Sequence, residues 1–404
     1  MFIFPPGGAV NRTNPAERTL LHRVAGLVSH WEPAILLALA PAFLFITPSL
    51  TPTLLILPLL ALCRRASLGR FFPRTPLNVP ILALMAVLLL NLFVTPDIRQ
   101  SLPKIGGLLY GIALYFALAG WATTDRRRLW LLAGMAGLSL GLVAVSLFAT
   151  VWPRGGKMPA LAPAQSLVAG VPRGLALPGA ERGVNPNEAG GVLVMFAPLM
   201  AALAWGEMRR SGRSWPRLLL YLAGFLCAFV ATLLTQSRSA ILGLALGLLS
   251  LPAWRSWAGR ALFVGALGAL GWAALSGRLE PLLLHLGLVK PTLEFETLNG
   301  RLLVWARALY FIAQSPFTGV GLNHFRLAVP AFWPLASPLI HGDLGHAHNH
   351  FLQVAVELGI PGLLAYVGLW GAALWQAIAG SRSSASAASA YALVGGAGGL
   401  MAFL

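Results

Sequence analysis

Apolar runs of nearly spanning length recur along the whole chain, near residues 33–47, 51–63, 77–95, 105–122, 129–151, 188–206, 217–235, 239–253, 258–276, 354–378 and 388–404. A bilayer's hydrocarbon core is crossed by about 20 such residues in a helix. The pattern therefore predicts an all-α fold, a polytopic transmembrane helical bundle of about eleven spans. The first two runs are short and meet at Pro48-Ser-Leu-Thr-Pro52, which leaves a re-entrant hairpin as the alternative to a pair of spans. The last run stops at Leu404 without a polar flank and is expected to lie within a span or to be followed by another.

Two long polar stretches divide these runs. They give N-terminal transmembrane helices at 1–151, a loop at 152–187, central transmembrane helices with a turn at Arg238 at 188–276, a longer loop at 277–353, and C-terminal transmembrane helices at 354–404. Short cytoplasmic loops are rich in Lys and Arg. With the N-terminus inside, the arginines within 12–23, 64–74, 126–128, 209–217 and 255–260, together with Arg382, all fall on the cytoplasmic side. The opposite short loops hold only Arg99, Lys104 and Arg238. Both long loops are then expected to be extracytoplasmic, the longer one carrying short amphipathic helices.

Composition agrees with a lipid solvent. Of 404 residues, 57% are hydrophobic and 10% charged, with a mean hydropathy of +0.75, which excludes a water-soluble domain. The net charge of +17 would suit nucleic acid, but the basic residues sit in clusters between apolar runs, so no nucleic-acid partner is expected. Cys63 and Cys227 lie in separate apolar runs and read as packing residues rather than a disulfide or a thiolate site. No cleavage site follows the first apolar run, so the first span is expected to act as the insertion signal. The absence of an obvious internal repeat argues against a transporter built from duplicated halves.

Three places carry candidate chemistry. Asn299-Gly-Arg301 opens a stretch in which Leu302, Trp305, Leu309 and Ile312 recur at helical spacing, ended by Ser315-Pro-Phe-Thr-Gly-Val-Gly321. It reads either as a surface helix with solvated Arg301 and Arg307, or as a helix whose N-terminal Arg301 awaits an anion. Arg238 occupies a tight outward turn, Thr235-Gln-Ser-Arg238, between two apolar runs. At mid-membrane its charge would cost about 2.5–3.5 kcal/mol and less at the rim, so it is either a snorkelling loop arginine or a functional group. Finally, Gly345-His-Ala-His-Asn-His350 leads into an apolar helix. If that segment is extended, His346, His348 and His350 share one face, and a zinc site with Asp343 or His341 is the alternative. If a helix begins near Asn349, then His350, Gln353 and Glu357 share a face, and Glu357 needs a partner.

Four ordered pieces resemble the O-antigen ligase and O-antigen polymerase (Wzy-type) superfamily of membrane glycosyltransferases. They are Asn185-Pro-Asn-Glu-Ala189; Thr235-Gln-Ser-Arg-Ser-Ala240; Gly300-Arg-Leu-Leu-Val-Trp305 with Pro316-Phe-Thr-Gly-Val-Gly321; and His348-Asn-His-Phe-Leu-Gln353 with Glu357-Leu-Gly359. The resemblance covers about residues 180–375. It implies a polyprenyl (undecaprenyl) pyrophosphate-linked glycan donor held by Arg238 and Arg301, and an acceptor hydroxyl assisted by His348, with Asn349, Gln353 and Glu357 in support. The acceptor would be a glycolipid or glycan, with a lipopolysaccharide core (ligase) ahead of another lipid-linked repeat (polymerase). The expected enzyme is inverting, without cofactor or metal, multi-pass in the inner membrane among its lipids, and active towards the periplasm or exterior. A small-anion transporter is the reading from a different class. Against it, Glu357 is nearly the only acidic residue expected within a span.

Overall fold

The computed structural model describes residues 20–44, 48–152, 158–171, 174–177, 183–254, 256–288, 298–332, 346–383 and 387–403. The described residues are mainly helical, without strands. In chain order the helices are α1 Leu20–Leu44, α2 Ile56–Leu68, α3 Asn78–Val94, α4 Ile98–Trp121, α5 Asp125–Ala149, α6 Ala162–Ala169, α7 Pro186–Leu193 and α8 Phe196–Met208. They continue as α9 Trp215–Leu234, α10 Arg238–Ala253, α11 Trp257–Leu275, α12 Leu279–His285, α13 Leu298–Gln314, α14 Phe325–Phe332, α15 His350–Ser383 and α16 Ala387–Phe403.

The eleven apolar runs are largely helical, and among the described residues eight helices or helix pairs are long and apolar enough to cross a membrane. The apolar helices α3, α10 and α16 are shorter, at 17, 16 and 17 residues. Short polar residues start several of these helices by accepting backbone N–H groups that the first turn leaves unpaired. Asp97 does so for α4, Asn185 for α7 and Ser256 for α11.

The chain forms two compact units. One contains α5–α12, the end of α15 and α16; the other contains α1–α4, α13, α14 and most of α15. In the first, Val143, Leu193, Ala197, Ala228, Ala231 and Leu244 bring α5, α7, α8, α9 and α10 onto one apolar centre. Here α16 lies close on α8: a Cβ at Gly395 would fall 2.8 Å from the Leu199 Cα, and one at Gly399 would overlap the Met195 carbonyl oxygen. Glycines four apart let helix backbones approach where apolar burial gives no advantage over lipid.

In the second unit, Leu36, Phe43, Leu60, Tyr110 and Ala117 join α1, α2 and α4. Leu84 and Leu88 of α3 meet Ile105, Leu322, Leu358 and Ala365. Two expectations are corrected here. The first span begins well before residue 33, so Glu32 lies inside α1, where it pairs at 3.4 Å with Arg64 of α2. Arg64 is thus buried between helices and not solvated in a loop; the polarity of the pair conceals the true ends of both helices. In the first unit, Cys227 is exposed on α9 and is not a packing residue.

Candidate functional site

The histidine segment is a turn followed by a helix. Asn349 Oδ1 accepts from the N–H groups of Phe351 (3.0 Å) and Leu352 (3.1 Å), which starts α15 at His350. His348 immediately precedes this cap with φ +51, a left-handed conformation uncommon for any residue but glycine. His346 and His348 are both exposed, their ring centroids 4.1 Å apart and edge to face, and the His348 N–H donates to His346 Nδ1 at 3.4 Å. The segment is therefore not the extended strand that would align three histidines. His341 and Asp343 lie outside the described residues. Among the described residues, no group of three or more His, Cys, Asp or Glu is placed to hold a metal.

Between the two exposed rings, Ala347 is fully buried and its backbone is held from two sides. Its carbonyl accepts from Trp305 Nε1 of α13 at 3.0 Å, and its N–H donates to Gln353 Oε1 at 2.6 Å. Gln353 Nε2 donates to Glu357 Oε1 at 2.6 Å. Lys104 of α4 then donates to both Glu357 carboxylate oxygens, at 3.0 and 2.9 Å. Glu357 thus has the partner its position demanded, supplied by the N-terminal helices.

Two residues further on, α15 is broken. Gly359 has φ +73 and ψ −179, and the backbone groups released there are taken by the glycine-rich loop after α13. Val320 N–H donates to the Val356 carbonyl (2.8 Å), Gly321 N–H to the Glu357 carbonyl (3.2 Å), and Ile360 N–H to the Pro316 carbonyl (2.7 Å). Asn91 of α3 completes the set. Its Nδ2 donates to the carbonyls of Thr318 and Glu357, both at 2.8 Å, and its Oδ1 accepts from Leu322 N–H at 3.0 Å. Broken helix is tolerated in a membrane protein where protein groups satisfy the backbone in this way. Gly319, at φ +66, must be glycine, since a Cβ would overlap the Glu357 carbonyl carbon.

The same loop fastens the start of α4. Ser101 Oγ donates to the Leu322 carbonyl (2.6 Å), and Asn323 Nδ2 donates to the Gln100 carbonyl (2.7 Å). Asp97 N–H donates to Nε2 of the buried His324 (3.2 Å), whose Nδ1 then carries the proton shared with the Leu322 carbonyl (2.9 Å).

Arg301 lies near the start of α13; its side chain lies outside the described residues. The expectation of a solvated Arg307 is corrected: this guanidinium is buried on the face of α13 that carries Val304, Ala308 and Phe311, and desolvation lowers its pKa. Leu302 and Leu309, expected to define the apolar face, are exposed. The helix is apolar on both sides, which the spacing of one side alone does not reveal.

Arg238 belongs to the other unit. It is the half-buried first residue of α10, next to the cap Ser237, in a turn whose Thr235, Gln236 and Ser237 are almost wholly buried. Gln236, at φ +50, accepts from Met158 N–H at 2.9 Å, which ties the first long loop to this turn. Ala160 N–H in turn donates to the Gly287 carbonyl of the second loop at 3.1 Å. Gly190, directly after the Asn185–Ala189 motif, lies so close that a Cβ would fall 2.8 Å from Thr235 Oγ1.

The ordered motifs are thus assembled in two groups. Asn185–Ala189 meets Thr235–Ala240 in one unit, while the α13, glycine-loop and histidine motifs interlock in the other. Sequence reasoning missed Asn91 and the pairing of Lys104, although an isolated lysine entering an apolar helix is a signal that a buried acid awaits it.

The architecture and these motifs define a polytopic helical membrane protein with a polar site built on helix ends. Residues 223–367 match the family model described as O-antigen ligase, and this match supports a function of the O-antigen ligase or polymerase kind and a membrane glycosyltransferase-like activity. No curated protein matches the chain. Arg238, Arg301, His348, Asn349, Gln353 and Glu357 all fall within the matched stretch, whereas Asn91 and Lys104 lie before it.

Proposed function

We propose that this protein is an inner-membrane O-antigen ligase of about eleven spans, which transfers a glycan from polyprenyl pyrophosphate to a hydroxyl of a lipopolysaccharide core on the extracytoplasmic side. His348 takes the proton of the acceptor hydroxyl as its oxygen attacks the anomeric carbon. The bond from that carbon to the pyrophosphate oxygen breaks, with inversion at carbon. Arg238 and Arg301 serve the pyrophosphate, because a guanidinium donates two parallel charge-assisted hydrogen bonds and offsets charge growing on the leaving group. Lipid pyrophosphate leaves readily once neutralised, so the reaction calls for no metal or cofactor.

The observation that carries this reading is the position of His348. It is an exposed imidazole on a turn whose backbone is buried and bonded on both sides, within the stretch that matches the O-antigen ligase family. An imidazole held still in this way suits general-base work.

The test compares His346→Ala, His348→Ala and His350→Ala at matched membrane levels, measuring glycan transfer and donor binding separately. His348→Ala should lower turnover about 10²–10⁴-fold while donor binding persists, with a smaller loss at one neighbour or both. Equal and mild losses at all three positions would remove the base.

A further inference from the structure

The hydrogen-bond chain from Lys104 to Ala347 has a fixed direction. At one end the Ala347 N–H can only donate. At the other, a carboxylate already bound by an ammonium accepts. Only one orientation of the Gln353 amide satisfies both, with its oxygen towards Ala347 N and its nitrogen towards Glu357 Oε1, each at 2.6 Å. The residue after Ala347 is His348, held at a φ of +51 that an unsupported histidine would leave. Glu357 is almost wholly buried, and among the described residues its carboxylate is oriented by the donors Lys104 and Gln353.

We propose that Lys104 is a positioning residue for His348, acting through Glu357 and Gln353. Its ammonium orders the buried carboxylate, the carboxylate orders the amide, and the amide fixes the peptide from which the histidine projects. Lys104 lies outside the stretch that matches the family, on a helix contributed by the N-terminal part of the chain. The inference rests on the assignment of His348 as the base, and the direction of the chain supplies a test that separates the two. A structural ion pair needs only opposite charges, whereas this relay needs its donors and acceptors in order. In the double variant Q353E/E357Q, the carboxylate introduced at position 353 accepts from Ala347 N–H and from the amide nitrogen introduced at position 357. The oxygen of that new amide accepts from Lys104. The charge count is unchanged and the order is restored. Gln353→Glu alone sets two carboxylates against each other with no donor between them, and Glu357→Gln alone turns an amide nitrogen towards Lys104 in place of the carboxylate oxygen it bonds at 2.9 Å.

The experiment uses the full chain in lipid nanodiscs. It measures amide hydrogen exchange over residues 346–352 together with turnover and donor KM. Gln353→Glu, Glu357→Gln and Lys104→Met should each speed exchange at Ala347 about tenfold or more and lower kcat with little change in KM. The double variant should return both exchange and kcat towards wild type. Lys104→Met with unaltered exchange, or a double variant no better than the worse single, would overturn the relay. His348→Ala, measured alongside, isolates the other claim. Undiminished turnover there, with the exchange pattern intact, removes the base and leaves the relay standing.

Discussion

The two motif-bearing regions are made rigid by different means. Around Arg238, small residues let buried turns approach: Gly190 lies against Thr235, Ala240 and Ser237, and the closest atom it meets is a side-chain hydroxyl. Around His348, directed polar bonds from several chain segments converge, and the glycines meet main chain: Gly319 faces the Glu357 carbonyl and Gly359 faces the Phe317 carbonyl. A packed turn can accommodate a change in volume if a neighbour shrinks. A bonded break has no such freedom, because the neighbour is backbone.

This difference orders the expected effects of substitution. Gly319→Ala should be the most damaging, since the added methyl runs into main chain and the residue keeps φ +66. Losses of about 3 kcal/mol or more are expected, seen as failure to accumulate in membranes or a steep fall in detergent melting temperature, with no second-site side chain able to restore it. Asn91→Leu comes next. It leaves the Leu322 N–H without its acceptor and takes the Asn91 donor from the Thr318 and Glu357 carbonyls, the second of which keeps only Gly321 N–H, a cost of about 2–3 kcal/mol by thermal unfolding. Gly190→Ala should cost about 1–2 kcal/mol, and Thr235→Ala in the same chain should recover part of it by removing the hydroxyl that the methyl meets. If Gly190→Ala proved as irreparable as Gly319→Ala, the contrast between the two regions would collapse.

Much of this is legible in the sequence, and the gaps have physical causes. The apolar runs mark helices because a span must satisfy its own backbone, and Asn349 marks the start of α15 because its short side chain accepts the first free N–H groups. The beginning of α1 is hidden because Glu32 and Arg64 look like flanking charges until they are seen to pair. Arg307 reads as solvated as long as apolar periodicity is followed along only one side of α13. The Lys104–Glu357 pair and the bonds of Asn91 join residues far apart in the chain, and a local pattern can mark Lys104 and Glu357 as wanting partners without saying which. The segments with candidate chemistry announce themselves by their polar residues, but the scaffold that holds the histidine turn comes partly from helices whose composition suggests only that they fill the membrane.

The break at Gly359 also bears on depth. From there to Ser381 the helix measures about 33 Å at a rise of 1.5 Å per residue, already the thickness of a bilayer's hydrocarbon core at about 30 Å. That segment is therefore long enough to cross without the residues of α15 that precede the break. Gln353 and Glu357 can stand at the lipid boundary instead of within the hydrocarbon, and Lys104, near the start of α4, can meet them at a corresponding level. An ion pair that would be costly at the bilayer centre is far less so at its edge, where headgroups and water soften the loss of solvation. A spanning segment that ends at the kink would leave the Lys104–Glu357 pair as a charged platform at the membrane surface on an otherwise apolar helix.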